Sequence, residues 1–397
     1  MEKKLKSLAN KRGLVNFSDK LSAKWRTYST SGQQNTAGTD TLEQAFARLI
    51  SIPSVTGDYA ANHEAFDYVD AYLTTRGMYV KRYEWNGVES LVATTRKTKK
   101  PTVLFLGHVD VVPAPAEMFT LVETEETYKG RGVLDMKSGV AAYLGAVNEL
   151  RDSLEDFDFG IMLTSDEEVS GFNGARLLAE EGYLPKVIIL QDGGGNWNIE
   201  RFAKGIWHAT ITASGVSAHG SRPWEGENAV DKLMAVLLEV KALFQDQTPN
   251  GSTVNVGIIQ GGNAVNQIPS MASASLDMRF ITPEDQARVV AAVTDIATKH
   301  KVLVNSDVVS DPVVTDPKDE YIAAYASTVE RVINKPIEWV ISNAGHDGRF
   351  FAAKGVQCAV SYPLGGGHHG PDEWIAKESL RQMQTIYVEY LNQVAKK

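Results

Sequence analysis

Seven histidine and carboxylate side chains of this chain stand in short segments that end or follow apolar runs, and their types are those of metal ligands. The chain has 397 residues, and the seven are His108, Asp110, Asp135, Glu167, Glu168, Asp192 and His369. Carboxylates brought together without a cation would repel one another and raise each other's pKa. Nitrogen and oxygen donors without a thiolate suit zinc, with cobalt or manganese as substitutes. The set therefore predicts a hydrolase with two metal ions.

The apolar runs before these residues have the length of buried strands. They are TVLFLG (102–107), FGIMLTS (159–165), KVIILQD (186–192) and VQCAVSY (356–362), and helical segments separate the first three. Continuous apolar strands that alternate with helices predict an α/β domain with a mostly parallel sheet covered on both faces. Ligands bind beyond the carboxyl ends of such strands, so we expect the seven side chains to converge at one edge.

Residues 205–311 have a different pattern. Segments of alternating polarity and helical segments follow one another there in the order β-α-β-β-α-β, which predicts an inserted, ferredoxin-like α+β lid. The catalytic domain is then discontinuous. The predicted ranges are a basic leader and linker at 1–40, a first catalytic segment at 41–204, the lid or dimerisation domain at 205–311, and a second catalytic segment at 312–397.

Composition excludes several classes of function. The formal net charge of -9 disfavours a nucleic-acid partner, although residues 1–26 carry eight basic side chains against Glu2 and Asp19. No apolar stretch approaches the roughly 18 residues that span a bilayer, so we expect no membrane association. The single cysteine, Cys358, is predicted to be a buried strand residue, and its use indicates a cytoplasmic location.

Five stretches together resemble a known family. They are GHVDVVP (107–113), GRGVLDMKSG (130–139), TSDEEVSG (164–171), the strand exit at Asp192, and GGGHHGPDE (365–373). As an ordered set they resemble the dinuclear zinc amidohydrolases that include acetylornithine deacetylase, succinyl-diaminopimelate desuccinylase, aminoacylase, glutamate carboxypeptidase and related dipeptidases. The resemblance implies two Zn²⁺ per chain. His108 and Asp192 would hold one ion, Glu168 and His369 the other, and Asp135 would bridge them.

The resemblance also implies roles for the two remaining acids. Asp110 would orient His108, since residue i+2 of an extended chain points the same way and could accept the imidazole N–H. Glu167 would act as general base on a water that bridges the metals. In an extended backbone Glu167 and Glu168 could not both face the metals, so one ligates while the other is free to act. Of the two adjacent histidines, only His369 has the family's H-x-x-D-E spacing, and His368 is predicted to be a neighbour.

Three residues of the predicted lid match family positions that contact substrate. His219 would stabilise the tetrahedral oxyanion, often in the active site of a partner subunit, which implies a homodimer through the inserted domain. Asn266 and Arg279 would bind substrate, and Arg279 could clamp a carboxylate bidentately. An ordinary ion pair on the strand surface is an equally open interpretation of Arg279. Asp347 either supports the site or caps the following helix, and we expect capping.

The function predicted from these residues is hydrolysis of an amide bond beside a free carboxylate. The substrate would be a small N-acyl amino acid or a short peptide, and the enzyme a deacylase, dipeptidase or carboxypeptidase. One alternative is a dizinc aminopeptidase, which would recognise a free amine. Another is a non-catalytic ligand-binding relative, although the presence of every ligand together with Glu167 disfavours it.

Overall fold

The structure is a computed structural model that describes residues 40–245 and 247–397. The predicted leader and linker therefore lie outside the described residues, apart from Asp40. The helices, in chain order, are α1 (Leu42–Ser51), α2 (Tyr59–Thr74), α3 (Lys137–Glu149), α4 (Ala175–Glu180), α5 (Ala229–Ala242), α6 (Pro283–His300), α7 (Glu320–Ile333), α8 (Arg349–Ala352) and α9 (Lys377–Val394). The strands are β1 (Tyr79–Trp85), β2 (Val88–Thr94), β3 (Val103–His108), β4 (Val122–Glu123), β5 (Thr127–Lys129), β6 (Phe159–Thr164), β7 (Val187–Leu190), β8 (Ile199–Ala203), β9 (Gly205–Ser214), β10 (Thr253–Gly261), β11 (Met271–Phe280), β12 (Leu303–Ser310), β13 (Val313–Val314), β14 (Trp339–Ser342), β15 (Gln357–Val360), β16 (Gly365–Gly366) and β17 (Trp374–Ala376).

A six-stranded sheet with the order β1-β2-β6-β3-β7-β15 forms the centre of the larger core. Strand β2 runs antiparallel to β1 and β6, whereas β6, β3, β7 and β15 pair in parallel. Every residue of β3, β6 and β7 is buried, because helices cover both faces. The predicted α/β fold with a mostly parallel sheet is confirmed, and Cys358 lies buried in β15 as predicted.

Residues from β9 to β12 form a second sheet with its own core. Its strand order is β10-β11-β9-β12 with antiparallel pairing throughout, and α5 and α6 pack on one face. The chain order β9-α5-β10-β11-α6-β12 is that of the predicted ferredoxin-like lid. The domain ranges 41–204, 205–311 and 312–397 stay a prediction.

Two small sheets complete the fold and help to place the site. In one, β8 pairs with β13 and β14. In the other, with the order β16-β17-β5-β4, strand β17 pairs with β5. This second pairing brings the segment that follows β5, with Asp135, beside the glycine-rich segment that precedes β17, with His369.

One predicted local feature is wrong. The sequence pattern of Asp40 and Glu43 predicts a capping box at the start of α1. Instead Thr41 caps the helix: its hydroxyl accepts from the Gln44 backbone N–H, and the Gln44 side chain accepts from the Thr41 N–H at 2.8 Å. Asp40 does not cap because its carboxylate accepts a hydrogen bond from the Tyr68 hydroxyl at 2.9 Å. Among the helices of the described ranges, none is long and apolar enough to cross a bilayer.

Candidate metal centre

The carboxyl edge of the main sheet gathers the predicted ligands. His108 is the last residue of β3, the pair Glu167 and Glu168 follows β6, and Asp192 follows β7. Because these strands are parallel neighbours, their ends open onto the same edge. Asp135 reaches this edge from the residues just before α3.

Asp135 lies between two groups of ligand atoms. Its Oδ1 is 3.1 Å from His108 Nε2, whereas its Oδ2 is 2.7 Å from His368 Nε2 and 3.0 Å from His369 Nε2. The ligand atoms of His108, Asp135 and Asp192 all lie within 4.8 Å of one another, as do those of Asp135, His368 and His369. One carboxylate thus faces two clusters, which is the arrangement that a bridging ligand needs.

The donor set fits divalent ions. Asp192 is partly buried, and its Oδ1 accepts a hydrogen bond from the Tyr362 hydroxyl at 2.9 Å. Its Oδ2 is buried without a hydrogen-bond partner in the described part of the chain, yet it stands beside His108 and Asp135. A buried carboxylate oxygen without a partner is costly unless a cation satisfies it.

The electrostatics of the acids support the same conclusion. Burial is the main cause that raises the pKa of Asp192 well above its usual value, and the negative charge of Asp135 adds to it. Burial, then the charge of Asp192, likewise raises the pKa of Glu167. Burial would also raise the pKa of Asp135, but hydrogen bonds from His108, His368 and His369 outweigh it and hold that pKa well below its usual value. The site therefore favours positive charge around Asp135.

The expectation of an extended backbone at Glu167 and Glu168 is wrong. Residues Glu167–Val169 form a 3₁₀ turn, closed by the Ser170 N–H donating to the Glu167 carbonyl at 2.7 Å. Successive side chains rotate by about 120° in such a turn, whereas they alternate by 180° in a strand. Both carboxylates can therefore face the centre: Glu168 Oε2 is 3.1 Å from His369 Nε2, and the charges of Asp192 and His108 act on Glu167.

Asp110 is placed against His108, although not by the predicted contact alone. The His108 Nδ1–H donates to the backbone carbonyl of Asp110 at 2.8 Å, while the carboxylate Oδ1 is 3.4 Å away. Because a carbonyl only accepts, the single proton of a neutral His108 ring stays on Nδ1. The Nε2 that contacts Asp135 in this structure would then carry the lone pair that a metal binds. The Asp110 carboxylate itself accepts from the Thr56 hydroxyl at 2.9 Å.

The structure brings both adjacent histidines to Asp135. The rings of His368 and His369 stack with centroids 3.9 Å apart, and both are partly exposed. Of the two, His369 also contacts Glu168. The choice of His369 as the ligand stays a prediction, and His368 is closer to the centre than the sequence pattern indicated.

The three predicted substrate residues lie in the lid: His219 follows β9, Asn266 follows β10, and Arg279 lies on β11. His219 and Asn266 are exposed and line a cleft of about 460 Å³ together with Ser217 and Gln267. The His219 Nδ1 accepts from the Ser221 backbone N–H at 3.3 Å, so its Nε2 carries the proton in the neutral ring. Within residues 40–245 and 247–397, no hydrogen bond or ion pair joins His219 or Asn266 to the metal ligands.

Arg279 is held by a neighbour on its own strand. Its Nε donates to Asp277 Oδ1 at 2.7 Å and its Nη2 to Asp277 Oδ2 at 3.1 Å. The guanidinium of Arg279 is thus paired with a carboxylate of its own strand, as the ion-pair interpretation predicts. A role for Arg279 in substrate binding stays a prediction.

The expectation that Asp347 caps a helix is wrong. Gly348 precedes α8 and provides no side-chain cap. Asp347 is instead buried, with its Oδ2 accepting from the Thr164 hydroxyl at 3.1 Å at the end of β6. Burial raises the pKa of Asp347 above its usual value. The charges of His108 and Asp110 also act on this carboxylate, which agrees with the other interpretation of Asp347, as a residue that supports the site.

Sequence reasoning assigned no role to Tyr362 or Glu373. Tyr362 donates to Asp192, as described above. Glu373 is buried and accepts hydrogen bonds from the loop that carries Asp135. Of these two residues, only Glu373 could have been found from the sequence pattern, because it lies inside the GGGHHGPDE stretch.

Comparisons with known proteins agree with this geometry. The sequence profile "Peptidase family M20/M25/M40" matches residues 104–393. A succinyl-diaminopimelate desuccinylase of Novosphingobium aromaticivorans is 29% identical over 86% of this chain and 95% of that protein. A probable carboxypeptidase of Aspergillus flavus is 29% identical over 62% of this chain and 66% of that protein. The crystal structure of aminopeptidase PepT from Bacillus cereus has a TM-score of 0.73 at 19% identity, covering 89% of this chain and 98% of that one, and shows a shared fold.

Proposed function

Because this chain belongs to peptidase family M20/M25/M40 and is a metal-dependent hydrolase of amide bonds, we propose that it uses two zinc ions to cleave an amide beside a free carboxylate. The substrate would be an N-acyl amino acid or a short peptide. The observation that carries the proposal is the position of Asp135, whose two oxygens face His108 on one side and His369 on the other.

The proposed ligands divide around Asp135. His108 and Asp192 would hold one ion, and Glu168 and His369 would hold the other. Two divalent ions would polarise the scissile carbonyl and lower the pKa of the attacking water. Three ligating carboxylates and a hydroxide would balance their charge of +4.

Glu167 moves the proton. It lies at the centre without an assigned ligand role, and burial raises the pKa of its carboxyl group well above the usual value. Glu167 takes a proton from the attacking water and delivers it to the leaving nitrogen. Asp110 orients His108 through its backbone carbonyl and so keeps Nε2 available.

The relatives support a substrate with a carboxylate. The desuccinylases and carboxypeptidases named above act, by their names, on N-succinyl or C-terminal groups, and both substrate types carry a carboxylate next to the cleaved bond. In the lid, Arg279 would bind that carboxylate. His219 would donate a hydrogen bond from its Nε2–H to the oxyanion of the tetrahedral intermediate. Asn266 would contact the substrate from the same cleft.

A homodimer through the lid is included in the proposal. Strand β10 is an edge of the lid sheet and exposes Ile258 and Ile259, while the adjacent α5 exposes Met234 and Leu238. An edge strand with exposed apolar side chains favours pairing with another chain. A second copy would cover this surface and could present His219 to its partner's site.

Light scattering measures the mass of the purified chain in solution. We expect a dimer for the wild-type chain and a monomer for Leu238→Glu. A wild-type monomer would contradict the proposed dimer.

A substrate panel tests the activity. Zinc-loaded protein is offered N-succinyl and N-acetyl amino acids, dipeptides, and tripeptides with a free or blocked amine, each with a free or amidated carboxylate. We expect turnover only of substrates with a free carboxylate. Turnover should be lost when a chelator removes the metal and should return when zinc or cobalt is added. A requirement for a free amine would favour the aminopeptidase instead, and two bound ions without turnover on any substrate would favour a binding protein.

A further inference from the structure

A buried ion pair joins the two segments that carry proposed metal ligands. Arg131 and Glu373 are only 3% and 1% exposed, and the Arg131 Nη1 donates to Glu373 Oε2 at 2.6 Å. Arg131 stands four residues before Asp135, and Glu373 four residues after His369. The pair therefore bridges the loop before α3 and the loop before β17.

Glu373 fixes the backbone of the Asp135 loop. Its Oε1 accepts from the backbone N–H groups of Leu134 at 2.8 Å and Asp135 at 3.2 Å, and its Oε2 accepts from that of Gly132 at 3.1 Å. One carboxylate thus satisfies three backbone donors besides Arg131. Since the Asp135 N–H is one of them, Glu373 sets the point from which the Asp135 side chain leaves the backbone.

Arg131 fixes the backbone of the His369 loop. Its Nη2 donates to the carbonyls of His369 at 3.1 Å and Gly370 at 3.2 Å. His369 has φ of 57°, a left-handed conformation that a residue with a Cβ seldom adopts without support. The hydrogen bonds from Arg131 supply that support at the proposed ligand itself.

We propose that Arg131 and Glu373 are positioning residues that set the spacing of the two metal sites, Arg131 through His369 and Glu373 through Asp135. This inference rests on the proposed two-metal function. Glu373 acts on the bridging ligand and so on both sites, whereas Arg131 acts on the site of Glu168 and His369. Lysine at 131 would keep the charge but lose the planar fork that reaches Glu373 and two carbonyls at once.

Zinc affinity of the zinc-free protein separates positioning from simple support of the fold. In Arg131→Lys we expect one ion to bind as in wild type and the other about 10- to 100-fold more weakly, the usual effect of removing a group that orients a ligand. In Glu373→Gln we expect both ions to bind about tenfold more weakly. Calorimetric titration gives the two affinities, and anomalous scattering shows which site empties.

Arg82→Lys is the matched control. Arg82 is also buried and paired with a glutamate, Glu89, at 2.6 Å, but it lies on β1 and pairs away from both ligand loops. This variant should lower the melting temperature and leave both zinc affinities unchanged. The proposal is overturned if Arg131→Lys lowers only the melting temperature, if Arg82→Lys weakens zinc as much, or if neither Arg131→Lys nor Glu373→Gln folds. Wild type that binds no zinc would instead overturn the proposed function.

Discussion

The metal centre and the substrate residues of the lid are built in opposite ways. At the centre, His108 and Asp135 are 1% and 5% exposed and are held by hydrogen bonds from several segments of the chain. In the lid, His219 and Asn266 are exposed and line an open cleft, and Arg279 is held by Asp277 of its own strand. The first region has its geometry before any substrate arrives, whereas under the proposed function the second would acquire its partners from substrate or from another chain.

Burial explains the difference. A buried carboxylate oxygen without a partner, such as Asp192 Oδ2, costs about 1–3 kcal/mol or more unless something satisfies it. That cost is recovered when a cation binds, so the centre is a site in which metal and fold stabilise each other. The exposed lid residues keep their hydration and gain nothing until they bind. Substitutions of the proposed metal ligands should therefore change metal content, and substitutions of the three predicted substrate residues should change only substrate binding.

The largest expected effect is that of Asp135→Ala. Both clusters share this carboxylate, so we expect zinc content to fall from two ions per chain to one or none, and hydrolysis to fall to background. Elemental analysis and an activity assay measure the two effects. Asp152→Ala, which removes an acid whose side chain is 91% exposed, is the control and should change neither. Two tightly bound ions in Asp135→Ala would mean that Asp135 is not the bridge.

Glu167→Gln should separate chemistry from metal binding within the centre. Without a group to take the proton from water, we expect turnover to fall by about 10²- to 10⁴-fold while both ions stay bound. Glu180→Gln on the exposed face of α4 is the control for loss of a negative charge. A variant that keeps wild-type turnover would remove Glu167 from the mechanism.

Arg279→Lys tests substrate binding by the lid. If the guanidinium binds a substrate carboxylate, its loss should raise KM by about 10- to 100-fold, since a charge-assisted hydrogen bond contributes about 1.5–3 kcal/mol. Zinc content should not change. Steady-state kinetics with a free and an amidated carboxylate measure the effect, which should vanish for the amide. An unchanged KM for both would leave Arg279 as the ion-pair partner of Asp277.

The smallest effect concerns Cys358, which is buried in β15 of the main sheet. Burial raises the pKa of this thiol to about 12, so very little reactive thiolate forms at pH 8. We expect iodoacetamide to leave Cys358 unlabelled in the folded protein and to label it after denaturation. A cysteine introduced in the lid by Trp224→Cys, where the side chain is 77% exposed, should react at once. Mass spectrometry distinguishes the two sites, and rapid labelling of Cys358 would contradict a closed sheet.

The sequence predicted the features that follow from local pattern, and it missed those that depend on other contacts of the chain. The strand exits at His108 and Asp192 were predictable because continuous apolar runs identify buried parallel strands. The order of elements in the lid was predictable because alternating polarity identifies strands with one exposed face. The turn at Glu167 was not, because it depends on hydrogen bonds such as that from the Gly171 N–H to the Asp166 carbonyl. The burial of Asp347 depends on Thr164, which lies in a distant region of the chain.

One missed element did have a local signal. Strands β1 and β2 form a hairpin closed by Asn86 and Gly87, both with positive φ. An Asn-Gly pair between two strands is the strongest short-range indication of such a turn. Tertiary contacts, by contrast, decided that Thr41 rather than Asp40 caps α1, since Asp40 is bound by Tyr68.

Anomalous scattering at the zinc edge, from crystals of the wild-type chain grown with zinc, tests the central claim most directly. We predict two peaks on either side of Asp135, one beside His108 and Asp192 and the other beside Glu168 and His369. A single peak, or peaks that avoid Asp135, would contradict a centre in which this carboxylate joins two metal ions.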